Sequence, residues 1–216
     1  MENELDPVEV AGELMDRLIH ICMDDSECMP KPDDEALYEA LDKIVSVNKI
    51  DPEVEQAIKN SDTFRDELEK ELKEMLNNYW ARRITAGLVR ILDNVYNEIV
   101  DNKDLVDFRK VKLLKKYQKV LEEFVDAINR ALNEKKPLSK EDLYNWFMDI
   151  GDTVLGIEAY DWFDLQVDYW LSFYDLLNDN YKLEMLWELK DELSRLVLLP
   201  KIKEKISELE TLKNRS

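Results

Sequence analysis

Residues 144–187, YNWFMDIGDTVLGIEAYDWFDLQVDYWLSFYDLLNDNYKLEMLW, hold twelve of the chain's twenty aromatic side chains and four of its five tryptophans. Between Ile157 and Leu177 nearly every position is apolar except Asp161, Asp164, Asp168 and Asp175, which recur at steps of three, four and seven. On a helix those acids form one narrow stripe while large rings cover the remaining surface. A helix that is apolar on most sides is a buried one. The stretch therefore reads as the central helix of the fold, its acidic stripe turned to solvent, a partner or a metal.

The flanking sequence points to the same class. With 216 residues and 45% hydrophobic content the chain can build a sizeable core. Four glycines and six prolines are too few to punctuate an all-β or Rossmann-like chain, and the abundant Glu, Lys, Leu and Ala favour helices. The expected class is all-α, a multi-helix bundle in three parts: short N-terminal helices over 1–61, a long antiparallel helical hairpin over 62–134, and an aromatic-rich C-terminal helical subdomain over 139–216. One continuous domain is the alternative to this division.

Local signals place the elements. Asp6-Pro7 and Asp51-Pro52 each pair an N-cap with a proline at the first helical position, where a missing N–H costs nothing. The first helix should end near Met23 with Leu14, Leu18, Ile21 and Cys22 on its apolar face. A second short helix is expected over EALYEALDKIV, residues 35–45, and a third up to Asn60. From Asp62 to Val100 apolar residues recur at helical spacing through Phe64, Leu68, Leu72, Met75, Tyr79, Ile84, Leu88, Ile91, Val95 and Ile99, with Gly87 the one place for a kink. The next helix carries Leu114, Tyr117, Leu121, Phe124, Ile128 and Leu132 in alternating steps of three and four, a heptad-like seam. Ser139 with Asp142 reads as a capping box. Gly151 or Gly156 ends that helix or admits a close neighbour. Asn178-Asp179-Asn180 reads as a turn, and Pro200 opens a last amphipathic helix.

Charge is segmented. The formal net charge is −19, yet residues 1–80 carry 23 acids against 8 bases, 81–140 carry 9 against 14, and 141–199 carry 14 against 3. The excess of negative charge argues against nucleic-acid binding by the surface as a whole. Within the basic middle, Arg109, Lys112, Lys115, Lys116 and Lys119 project from one helix away from the Leu114/Leu121 seam. Such a row either pairs with neighbouring acids inside the molecule or docks an acidic partner; a nucleic-acid backbone would use the same face. No apolar run of about 18 residues is present to span a bilayer, the acidic N-terminus is unlike a signal peptide, and two cysteines are too few for a disulfide framework. A cytoplasmic location is expected.

Sites of chemistry are few. His20, Cys22 and Cys28 lack the fourth ligand and the tight spacing of a tetrahedral zinc site, so Cys22 is expected in the core and Cys28 in a loop. A single histidine and scattered glycines leave no nucleophile signature and no phosphate loop. Carboxylates remain. Glu71 and Glu74 form E-x-x-E, Glu98 and Asp101 form E-x-x-D, and Glu123 and Asp126 repeat the latter; residues three apart share a helix face and two facing pairs could hold Mg²⁺. Over residues 64–126 this layout is similar to the all-α nucleoside triphosphate pyrophosphohydrolases of the MazG and dimeric dUTPase type. The resemblance implies Mg²⁺ held by Glu71, Glu74, Glu98 and Asp101 against a nucleotide's phosphates. It requires the long helix to break near Gly87, so that the two pairs can face each other.

The preferred reading is a non-enzymatic protein–protein interaction protein, an adaptor, assembly subunit or inhibitor, with no cofactor. Its partner-binding residues are the basic row 109–119 together with Trp162, Trp170 and Trp187, since tryptophans in excess of one core layer suit an interface with a protein partner or a second copy. The Mg²⁺-dependent pyrophosphohydrolase is the alternative. A second alternative is an acidic mimic of nucleic acid, or nucleic-acid binding through the basic row.

Overall fold

The computed structural model describes residues 5–23, 25–33, 50–156 and 160–215, and among them every regular element is helical. The helix expected over 35–45 lies outside the described residues. The chain divides into two compact units, residues 1–80 and 81–216.

In the first unit α1 (Pro7–Cys22) starts where Asp6 accepts the Val8 N–H at 3.0 Å, with Pro7 at the first helical position. It stops at Met23, which adopts left-handed backbone and gives its N–H to the Ile19 carbonyl at 2.9 Å. The buried face is Val10, Ala11, Leu14, Leu18 and Cys22; Ile21, expected there, is half exposed. The second Asp-Pro signal works in the same way: Asp51 accepts the Glu53 N–H at 3.1 Å and opens α2 (Pro52–Asn60). The first part of α3 (Asp62–Val100) buries Leu68, Leu72, Leu76 and Trp80 at steps of four. That seam passes through Leu76 and Trp80, leaving Met75 and Tyr79 half-buried beside it.

Cys22 is buried and Cys28 lies in a turn, as expected, but the two, read as too few for a disulfide framework, are paired with each other. α1 ends at Cys22 and the chain doubles back at once, which brings the two Cα atoms to 5.4 Å and lets a disulfide close. The bridged loop runs on to Pro30, whose carbonyl accepts the Nε1–H of the fully buried Trp80 at 2.7 Å.

The second unit contains the rest of α3, then α4 (Asp107–Asn133), α5 (Lys140–Val154), α6 (Tyr160–Tyr174), α7 (Asp179–Asp191), a short π-helical segment (Glu192–Leu196) and α8 (Leu198–Arg215). The heptad-like seam of α4 is buried through Leu114, Tyr117, Leu121, Phe124 and Ile128. Tyr117 donates its hydroxyl to the Leu92 carbonyl of α3 at 2.5 Å, and Lys110 Nζ reaches the Val100 carbonyl at 2.7 Å. Those two contacts join α3 and α4 in reversed order along the chain. Between α4 and α8, Lys115 pairs with Glu210 at 2.6 Å and Lys203 with Glu122 at 3.7 Å, again in reversed order.

Aromatic rings link α4, α5 and α6 into one core. Phe124 stacks on Trp146 at 5.5 Å between centroids and meets Phe147 edge-on at 5.7 Å, and Phe147 lies 6.5 Å from Phe163. Ser139 caps α5 as expected by accepting the Asp142 N–H at 3.0 Å. Both glycine readings have their place here. Gly156, with φ +67°, terminates the chain's run after α5, and Gly151 leaves room for the Phe163 ring, whose Cε1 would sit 2.9 Å from an added Cβ. Asn178 caps α7 by accepting the Tyr181 N–H at 3.1 Å, so the helix begins at Asp179 instead of following a separate turn. The π segment, in which Val197 N–H reaches the Glu192 carbonyl at 3.0 Å, joins α7 to α8, and Pro200 falls in the first turn of α8.

α6 corrects the opening expectation of a helix buried on all sides but one. Its buried stripe is Phe163, Val167, Leu171 and Tyr174, spaced by four, four and three. On another side Leu165 is 70% exposed and Tyr169 is exposed as well. Aromatic density alone did not distinguish rings that fill the core from rings that lie along its edge.

Candidate interaction surfaces

The basic row expected on residues 109–119 is present on α4. Arg109, Lys112, Lys115, Lys116 and Lys119 are all exposed, because the seam that turns Leu114, Tyr117 and Leu121 inward turns them outward. Lys115 is neutralised by Glu210. For the other four no carboxylate lies within 4.0 Å among the described residues. Arg109 and Lys119 stand ten residues apart, about 15 Å along the helix. At the N-terminal end of this row Val106 and Phe108 are exposed, Phe108 by 65%, and Lys213 of α8 sits over the Phe108 ring at 5.6 Å. An apolar end, Val106 at the N-cap and Phe108 in the first turn, and a cationic row thus share one edge of α4.

The three tryptophans proposed for partner binding go to three settings. Trp170 lies against Gly87 of α3, where any Cβ would overlap its indole, with the Arg83 guanidinium 6.0 Å from the ring. Trp162 is half-buried beside a polar cleft, edge-on to the buried Phe163 at 5.9 Å. Trp187, on α7, is 52% exposed. No ring contact links any two of them among the described residues.

The aspartate stripe divides too. Asp161 and Asp168 are exposed, whereas Asp164 accepts the Tyr144 hydroxyl at 2.5 Å and so ties α6 to α5. Asp175 falls just past the end of α6 and lies 3.8 Å from Lys182.

The acidic pairs stay on one element. α3 is one uninterrupted helix from Asp62 to Val100, and Gly87 within it leaves room for the Trp170 ring. Glu71 and Glu74 belong to the first unit. Glu98 and Asp101, at the end of α3, belong to the second. All four lie on, or just past the end of, this one helix. Glu123 and Asp126 are exposed on α4. Among the described residues no group of three or more His, Cys, Asp or Glu is arranged to hold a metal ion. His20 is exposed in the last turn of α1, and both cysteines are committed to the disulfide.

Among the charged clefts of the second unit, two lie against α3. One, of about 420 Å³, lies between α3 and the α7–α8 junction and contains Arg82 and Arg90 together with Glu188 and Glu192. Burial raises the Glu188 carboxyl above its usual range; Arg82 opposes that shift, and Glu184 and Glu192 add to it. The other, of about 660 Å³, lies between the end of α3 and α6 and is lined by amides, Trp162, Glu98 and Asp101. Among the described residues no basic side chain lines it.

No protein-family model matches the chain, and no characterised protein and no solved structure matches it. Among the described residues no helix is long and apolar enough to cross a membrane.

Proposed function

We propose that the protein works by binding another protein, as an adaptor, assembly subunit or inhibitor, and that the exposed face of α4 docks an acidic segment of that partner. The observation that carries this reading is the row Arg109, Lys112, Lys116 and Lys119: four exposed cations with no carboxylate within 4.0 Å among the described residues, in a chain whose net charge is −19. An acidic partner is drawn to this face and repelled elsewhere, so the field orients it before contact. Val106 and Phe108 at one end supply an apolar anchor of the kind that converts orientation into affinity. A nucleic-acid backbone meets the same four cations but also the repulsion of the whole acidic surface, and the row lacks aromatic or amide readers among its own side chains. The cysteines no longer bear on location, since their pairing removes the argument for a reducing compartment.

The test is affinity capture from nuclease-treated extract with wild-type protein and a Lys112→Glu/Lys116→Glu/Lys119→Glu variant, followed by binding of the recovered partner in purified form. A purified protein that binds wild type, loses at least tenfold in affinity to the variant, and weakens with salt supports the reading. Equal binding of every recovered protein to both forms overturns it. Binding seen only in a parallel extract left without nuclease transfers the face to nucleic acid.

A further inference from the structure

The cleft between the end of α3 and α6 has a composition that core packing does not call for. On the inward side of the last turns of α3 the chain places Ile91, Leu92, Val95 and Ile99, all buried. On the adjacent side it places Asn94, Asn97, Glu98, Asp101 and Asn102, a run spaced by three, one, three and one that follows a single face into the turn. Across from this row, α6 contributes Trp162 and, one turn on, Gln166. The volume, about 660 Å³, is in the range of small-molecule sites.

The chemistry of the wall selects the ligand. Glu98 and Asp101 have no ion-pair partner within 4.0 Å among the described residues, and Lys110, which approaches the end of α3, is committed to the Val100 carbonyl. An anion would face two uncompensated carboxylates. A bare or partly hydrated divalent ion would find only two acidic ligands, where no third His, Cys, Asp or Glu joins them. A primary or secondary ammonium fits better: its N–H groups need several oxygen acceptors, which the carboxylates and the carboxamide oxygens provide, and the indole face attracts the cation and covers the adjoining methylenes. The net charge of −19 raises the local concentration of any such cation. We infer that this cleft binds an alkylammonium group, with Glu98 and Asp101 as counter-charges and Trp162 as the platform. The site is separate from the α4 face and does not depend on its role.

Two sources of that group are distinguishable: a free linear polyamine, or a lysine side chain of a partner. Isothermal titration of the intact chain at physiological salt uses spermidine as one probe and Nα-acetyl-lysine methylamide as the other. One probe binding with a stoichiometry near one, weakened at least tenfold in Glu98→Gln/Asp101→Asn and several-fold in Trp162→Leu, supports the inference, and the tighter probe identifies the source. A Glu123→Gln/Asp126→Asn variant removes two exposed acids elsewhere and should bind as wild type does. The inference fails if that control weakens binding equally, if neither probe binds, or if Mg²⁺ binds with the same stoichiometry and is lost in the same Glu98/Asp101 variant.

Discussion

Trp170 of α6 lies across Gly87 of α3 so closely that a methyl group at residue 87 would occupy the space of the indole. The ring takes the place a side chain at residue 87 would have. Alanine is favoured over glycine inside a helix by about 1 kcal/mol, yet overpacking a well-filled contact costs about 1–3 kcal/mol. Gly87→Ala should therefore be net destabilising in urea denaturation. Removing the ring should reverse the sign: in a Trp170→Ala background Gly87→Ala should stabilise, and a double-mutant cycle without such coupling would contradict the packing.

The Cys22–Cys28 bridge closes a loop with a sequence separation of six. On the chain-entropy account such a loop contributes about 2 kcal/mol through the unfolded state. Just beyond Cys28, the Pro30 carbonyl receives the Trp80 indole N–H. A reductant should lower the denaturant midpoint and shift Trp80 emission, and Cys28→Ser should reproduce both effects while becoming insensitive to reductant. An unchanged midpoint in the reduced protein would show that the loop is held without the bridge.

How much of this was legible follows from what each signal encodes. The Asp-Pro starts, the Ser139 cap and the α4 seam were readable because each depends only on residues within one or two turns. The exposed cationic row was readable for the same reason, since it is the back of a seam. Why residue 87 is a glycine was not legible, because its reason lies 83 residues away, in Trp170. The exposure of Leu165 and Tyr169 and the pairing of the acids also depend on which neighbours cover a helix, and hydrophobic content alone does not carry that information. The amide-lined cleft was missed for a further reason: Asn and Gln in a helix read as ordinary surface until Trp162 is found opposite them. A polar face continuing through the last turn of α3 was the one local hint.

The buried phenol of Tyr117 gives a pH dependence. Burial, with the nearby charge of Asp93 adding to it, raises its pKa well above the ordinary 10.0. A folded-state pKa above the unfolded one gives stability that is complete below the unfolded value and is lost as pH rises toward the folded one. Stability should therefore decline once pH exceeds about 10, as unfolded but not folded tyrosine ionises. Tyr117→Phe should cost about 1 kcal/mol near neutral pH, where it forfeits the hydrogen bond to Leu92. It should also show a shallower decline above pH 10, so the two stability curves converge. Parallel curves over that range would place the titrating group elsewhere.

Lysines of the second unit divide into those that hold the fold and those that do not, and stability measurements can separate them. Lys201 of α8 lies 2.7 Å from Asp93 and 4.7 Å from the centroid of the Tyr96 ring, so one ammonium joins α8 to α3 through both a carboxylate and a π face. The pair is partly exposed, which limits its Coulombic share to less than about 1 kcal/mol, and the ring adds about 0.5–1 kcal/mol. Lys201→Ala should thus cost about 1 kcal/mol, diminished by salt. Lys112 and Lys116 have no such partner among the described residues, and substitutions there should stay within about 0.5 kcal/mol of wild type. Charge reversal at both should even gain slightly at low salt if like-charge repulsion with Lys119 or Arg109 is relieved. A large loss of stability in Lys112→Glu/Lys116→Glu would mean that the row is bound internally, and α4 would then have no free cationic face with which to meet a partner.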